Sequence, residues 1–196
     1  MQNRPGAVVA MQLASQHFGG QDHLIVIGGD TLFFEDFTLS GIVAHVQALP
    51  QESSGIPASL VLTHVIDDAG TLKSGILETD ASNRVTAFLE KPGPTATTSR
   101  LGCPCFYVLS PAAQAQLAVF LEEKAHAPLA EKDAPGNFIK YLIDKVRLSR
   151  ARKLMFVQVN PLPVRQVPVY QKEVSGRFDV GGLASYVECD KHFTKA

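Results

Sequence analysis

Residues Leu24 to Phe34 read LIVIGGDTLFF, an apolar run that breaks on Gly28 and Gly29, presents the single carboxylate of Asp30, and then resumes. A parallel α/β sheet writes this pattern where a buried strand leaves its carboxyl edge, the edge at which ligands bind. Asp30 is therefore the first candidate functional residue, and Leu24 to Ile27 is expected to be a buried strand.

The surrounding segments fit that sheet. Upstream, Ala7 to Phe18 carries Val8, Met11, Leu13, Ala14 and Phe18 near helical spacing and stops at Gly19-Gly20, which predicts a helix. Downstream, Thr38 to Leu49 returns to helical spacing before Pro50. From Ser59 the β-branched SLVLTHVI predicts a strand closed by the turn DDAG. SGILETD and RVTAFLEKP predict a hairpin about DASN, CPCFYVLSP a further strand, and Pro111 a helix opened at the position that tolerates proline.

Ala125 to Gly136 reads as a polar loop, followed by a helix carrying Phe138, Tyr141, Leu142, Lys145 and Val146 that Asn137 could cap. The stretch LMFVQVNPLPVRQVPVY is strand-like but interrupted by prolines, which suits a sheet edge or a small hairpin, and YVECDKHF predicts a short closing helix. The sum is one α/β domain over residues 1–196, with a mixed, mainly parallel sheet flanked by helices.

Composition narrows the function. With 196 residues, 45% of them hydrophobic, and a formal net charge of −1, the chain can build a core but shows no basic excess for nucleic acid. The basic run from Arg147 to Lys153 reads as a solvated helix end, with cations at the negative pole of the helix dipole. Cys103, Cys105 and Cys189 are an odd set without a paired framework, which points to buried thiols in a reducing compartment. No segment reads as a signal peptide or reaches the roughly 18 apolar residues of a membrane span. A cytoplasmic protein is expected.

Two aspartates stand in similar settings far apart in sequence, Asp30 after LIVIGG and Asp179 within GRFDVGG. Such hard oxygen ligands suit Mg²⁺, which takes one or two carboxylates and fills its octahedron with water or phosphate oxygens; each could equally cap its own turn. Glu90-Lys91-Pro92 closes a strand with an acid and a base together. Lysine suits a phosphate and glutamate accepts from hydroxyls, whereas the plainer reading is an exposed strand end with a weak ion pair.

In order, RPGAVVA, VIGGDTLF, SGILETD, FLEKP, CFYVLSP and FDVGGLASY resemble the successive motifs of the sugar-nucleotide pyrophosphorylases, from Pro5 to about Tyr186. The resemblance implies a Rossmann-like nucleotidyltransferase fold that joins a nucleoside triphosphate to a sugar 1-phosphate. It assigns Mg²⁺ to Asp30 and Asp179, and contact with sugar and phosphate to Glu90 and Lys91. Asp30 and Lys91 would be the catalytic pair. Gly29 and Gly75 would offer backbone to substrate, and Gly6 matches the glycine beside the nucleotide base. A metal and a lysine would neutralise charge where displacement at the α-phosphate develops it.

The chain departs from that family's pattern in three places. Cys105-Phe106-Tyr107 stands for a Gly-Ile-Tyr-like triplet, and DVGG for Asp-Ile-Gly-Thr, which loses a hydroxyl at Gly182. The family also opens with a strand and a glycine-rich loop that cradles the triphosphate, and Gly19-Gly20 precedes its strand instead of following it. On that pattern the chain is expected to be N-terminally truncated by about 80 residues, two or more βα units. Self-association or a catalytic partner subunit is then expected. Two other readings stay open: a non-catalytic subunit that binds sugar phosphate or sugar nucleotide, and a glycosyltransferase that consumes nucleotide sugars.

Overall fold

The computed structural model describes residues 6–50, 55–154 and 167–194 and, over 145–154, the backbone alone. In chain order these form α1 (Ala7–His17), β1 (Leu24–Ile27), β2 (Thr31–Phe34), α2 (Leu39–Gln47), β3 (Ser59–Val65), β4 (Gly75–Thr79), β5 (Val85–Glu90), β6 (Leu101–Gly102) and β7 (Phe106–Leu109). There follow α3 (Pro111–Glu123), α4 (Leu129–Lys132), α5 (Pro135–Leu154), β8 (Val169–Glu173), β9 (Gly176–Asp179) and α6 (Leu183–Thr194).

Local chemistry sets most boundaries. Thr38 caps α2 by accepting the Gly41 N–H at 3.0 Å, and Ser110 caps α3 with Pro111 in its first turn. Gly19 and Gly20, with φ of 78° and 62°, turn the chain out of α1. The polar loop expected before α5 contains α4, and α5 begins at Pro135. Asn137 therefore lies inside α5, where its amide donates to the Ala130 carbonyl at 2.9 Å, and is not its cap.

The main sheet has the order β1-β7-β3-β6-β4-β5, with β8 on the other side of β3. Among the described pairings only β3–β8 is parallel. The sheet is mixed, but the expectation that it is mainly parallel is corrected. Strands that follow closely, such as β4 and β5, can only pair antiparallel, and β8 reaches β3 in parallel because three helices intervene.

Residues alternate across β3 and β7. Val61, Tyr107 and Leu109 enter a core with α1, α3 and α5, whereas Leu60, Leu62, Phe106 and Val108 enter a second core beneath α2. Two faces are thereby covered, as the continuous apolar runs require.

The LIVI strand is a correction. β1 pairs only with β7 among the described residues and is half-buried, with Ile27 47% exposed. Among the described strands it lies at an edge of the sheet. Gly28, Gly29 and Asp30 then turn the chain into β2, which pairs with β9 in a separate two-stranded ribbon. Neither ribbon strand was expected.

The proline-punctuated stretch falls outside the described residues between 155 and 166, as do the side chains of Lys145, Val146 and the Arg147–Lys153 run. Its last residues enter β8, which is mostly buried.

Candidate active site

Asp30 owes its place to a tight turn, closed by the Thr31 N–H on the Gly28 carbonyl at 3.2 Å. Gly28 makes a close approach, since its N–H donates to the Cys105 carbonyl at 2.9 Å. Gly29 is exposed, with open space where a side chain would stand, so its backbone is available to a ligand.

Asp179 ends β9 opposite Thr31, and the Val180 N–H donates to the Asp30 carbonyl at 2.7 Å. The two carboxylates converge. A Cβ on Gly181 would stand 3.2 Å from Asp179 Oδ1 and 3.3 Å from Asp30 Oδ2, so both oxygens face one small volume that glycine leaves free. Among the described residues no third His, Cys, Asp or Glu completes a metal cluster. A donor set of two carboxylates, with remaining positions left to water or phosphate oxygens, fits Mg²⁺.

The other candidates lie along the link between β6 and β7. The Cys103 N–H donates to the Gly75 carbonyl at 2.8 Å, and Gly75 pairs with Glu90. At the far end of the same link, Thr31 Oγ1 donates to the Pro104 carbonyl at 3.3 Å. Residues 103–105 thus span from the Gly75–Glu90 pair to the Asp30 turn. Lys91 Nζ lies 3.8 Å from Glu90 Oε1, with both side chains substantially exposed, an ion pair of little stabilising value.

Backbone strain marks Lys91, next to Glu90, and Cys105, at the Asp30 end of that link. Lys91 has φ 46° and Cys105 φ 57°, the left-handed region that costs an ordinary residue roughly 1–2 kcal/mol. Cys105 occupies the place where the resembled triplet carries glycine. Its thiol is pushed up by burial, and nearby Asp30 adds to that shift. Cys103 is pushed up to about 11, again by burial, and donates to the hydroxyl of buried Tyr107 at 3.3 Å. Both cysteines sit in the link between strands, not on a strand.

Gly6 stands apart from the carboxylates. The Asp133 carboxylate fills the space where a Gly6 side chain would be. The same loop continues to Gly136, whose Cβ would meet the Phe88 ring at 2.6 Å and Glu90 Oε2 at 3.2 Å. Gly6 therefore reaches the Glu90 end of the site through residues 133–136.

Three residues with a place here were not singled out from the sequence. Gly136 touches Glu90 from α5. Arg177, two residues before Asp179, donates from Nη2 to Asp179 Oδ2 at 3.2 Å, and its Nη1 lies 3.0 Å from His64 Nε2. The period of two along a strand could have flagged Arg177 as sharing a face with Asp179. Nothing local to His64 announces its contact with Arg177.

The sequence profile of the family described as Nucleotidyl transferase matches residues 1–196. A comparison with curated proteins gives no match. Among solved structures, apo UDP-glucose pyrophosphorylase superposes with a TM-score of 0.64 at 18% identity, covering 99% of this chain and 62% of that one. A UDP-glucose pyrophosphorylase from Acinetobacter baumannii gives 0.63 at 19% identity, over 98% of this chain and 57% of that one. A Bacillus anthracis protein assigned as a glucose-1-phosphate thymidylyltransferase gives 0.60 at 20% identity, over 98% and 62%. The chain spans less than two thirds of these structures, and at such identities the likeness establishes the fold. A profile matched from end to end, on a fold shared with these pyrophosphorylases, makes this chain a member of the nucleotidyl transferase family.

Proposed function

We propose that the chain forms a nucleoside-diphosphate sugar and pyrophosphate from a nucleoside triphosphate and a sugar 1-phosphate, with Mg²⁺ held by Asp30 and Asp179. The observation that carries this reading is the convergence of two carboxylates, distant in sequence, on the volume beside Gly181. A phosphate oxygen of the sugar 1-phosphate attacks the α-phosphorus, the bond to the bridging oxygen breaks, and pyrophosphate leaves with the electron pair. Magnesium bound between the carboxylates would supply positive charge for the phosphate oxygens.

The chain's own residues bind and orient. Lys91 brings a flexible ammonium on an exposed stem to the sugar phosphate, and Glu90 accepts from sugar hydroxyls. Gly75 pairs with Glu90, and its missing side chain leaves room for the Phe88 ring beneath that residue, so its part is to seat Glu90 for the sugar. Gly29 offers an open peptide beside Asp30, and Gly6 would face the base. No described helix is long and apolar enough to cross a membrane, and the free thiols suit a cytoplasmic location.

The test is release of pyrophosphate by the full chain with Mg²⁺ across panels of nucleoside triphosphates and sugar 1-phosphates. Turnover is expected for wild type, and Asp30→Asn or Asp179→Asn should each lower it by more than the ~100-fold that supporting partners of a ligand can cost, with folding intact. Saturable sugar-phosphate binding without pyrophosphate release would turn the reading toward a non-catalytic binding subunit.

A further inference from the structure

Arg177 and Asp179 stand two apart on β9, on one face, and the Arg177 side chain is only 16% exposed. A guanidinium can only donate, so His64 Nε2, 3.0 Å from Nη1, must accept. The other ring nitrogen, Nδ1, lies 3.1 Å from the Gly102 carbonyl, which can only accept, so Nδ1 carries the proton. Geometry alone fixes His64 as a neutral ring in one tautomer. Burial and the Arg177 charge, only partly offset by the Gly102 bond and Asp179, hold its pKa down to about 4, so it remains an acceptor at neutral pH.

The two oxygens of Asp179 then have separate partners. Oδ2 takes the Arg177 Nη2 bond at 3.2 Å. Oδ1 takes the Gly181 N–H at 3.2 Å and faces the volume shared with Asp30 Oδ2. Arg177 Nε is buried without a hydrogen-bond partner among the described residues. Its two Nη groups are thus aimed at His64 and Asp179 while the third nitrogen, Nε, goes unmet, an unfavourable arrangement for a bond that only staples strands.

We infer that Arg177, braced by the neutral ring of His64, is a positioning residue that turns Asp179 Oδ1 toward Asp30 and so sets the geometry of the divalent-cation site. The inference rests on the metal reading proposed above. The brace also joins the ribbon to the main sheet, because His64 belongs to β3 and Arg177 to β9. Orientation can be separated from charge, since His64→Leu, His64→Gln and Arg177→Lys all leave the net charge of the site unchanged.

The experiment is Mn²⁺ binding to the full chain, followed by electron paramagnetic resonance, together with the ¹⁵N spectrum of His64 in the metal-free protein. His64→Leu and Arg177→Lys should each weaken Mn²⁺ binding about tenfold, the low end of the loss on removing a ligand's supporting partner. His64→Gln, whose amide oxygen can accept from Arg177, should recover most of it, and the His64 resonances should report the Nδ1–H form. Wild-type affinity in His64→Leu, or an Nε2–H ring, overturns the brace even where Asp30→Asn abolishes binding. Should His64→Leu not fold, folded Arg177→Lys with unchanged affinity overturns it equally. Failure of wild type to take up Mn²⁺ overturns the metal reading and this inference with it, and is told apart by all variants then behaving alike.

Discussion

The two ends of the candidate site are held by opposite means. At the Glu90 end, side chains are missing where the core presses in: Gly75 on β4 and Gly136 on α5 both meet the same edge of the buried Phe88 ring. At the carboxylate end, Asp30 and Asp179 are exposed on a two-stranded ribbon, aimed by hydrogen bonds from Val180, Gly181 and Arg177. One end is set by volume and the other by polar bonds, so stability and function should separate when each is perturbed.

Apart from the two carboxylates themselves, the largest effect is expected from Lys91→Met. Losing a charged contact to phosphate costs about 1.5–3 kcal/mol, or on the order of 100-fold in kcat/KM. Steady-state kinetics should show that loss while Mn²⁺ binding and the melting temperature stay unchanged. A parallel loss of Mn²⁺ would break the comparison, because it would couple the two ends.

Gly75→Ala should act on stability. Its methyl would enter the space of the Phe88 ring, which lies 4% exposed within the core. Overpacking of this kind costs about 1–3 kcal/mol, readable in urea unfolding. Phe88→Leu in the same chain should restore part of it. Unchanged stability in Gly75→Ala would show that the ring yields, and that packing does not fix this end.

The same contrast explains what the sequence disclosed. Helices α1, α2 and α3 and the β4–β5 hairpin are local: caps, prolines and alternation lie within a few residues of one another, and these elements were legible. The ribbon was not, because β2 and β9 are four residues each and exist only through pairing with a distant partner. The LIVI run looked central because apolar content reports burial, yet both faces of an edge strand can be apolar while one of its hydrogen-bonding edges stays open. Asp30 and Asp179 were visible as carboxylates in like settings that could seat one metal or cap separate turns, and the resemblance chose the first. His64 and Arg177 meet across a sequence separation of 113, beyond any local pattern.

Acid should probe the junction between the two ends. His64 titrates at an ordinary 6.5 when unfolded and about 4 when folded, so the unfolded chain binds the extra proton first. Stability should be unaffected by His64 above pH 6.5 and fall as pH drops from 6.5 to about 4. For a ring only partly buried the loss is on the order of 2 kcal/mol after solvent screening. His64→Gln should flatten that part of the pH profile, measured by urea unfolding at a series of pH values. An unchanged profile would mean that His64 is not the group responsible.

The smallest effect on stability, and the sharpest separation, is expected at Gly181→Ala. The new methyl would stand 3.2 and 3.3 Å from two carboxylate oxygens at the exposed ends of side chains, which can yield by a few tenths of an ångström. Unfolding free energy should therefore move by no more than ~0.5 kcal/mol, as for surface substitutions generally. The methyl nevertheless occupies the volume into which Asp30 Oδ2 and Asp179 Oδ1 both point, so Mn²⁺ binding should be lost. A stable Gly181→Ala protein that binds Mn²⁺ as wild type would place the cation elsewhere, and the carboxylate end would then owe its arrangement to the ribbon turn alone.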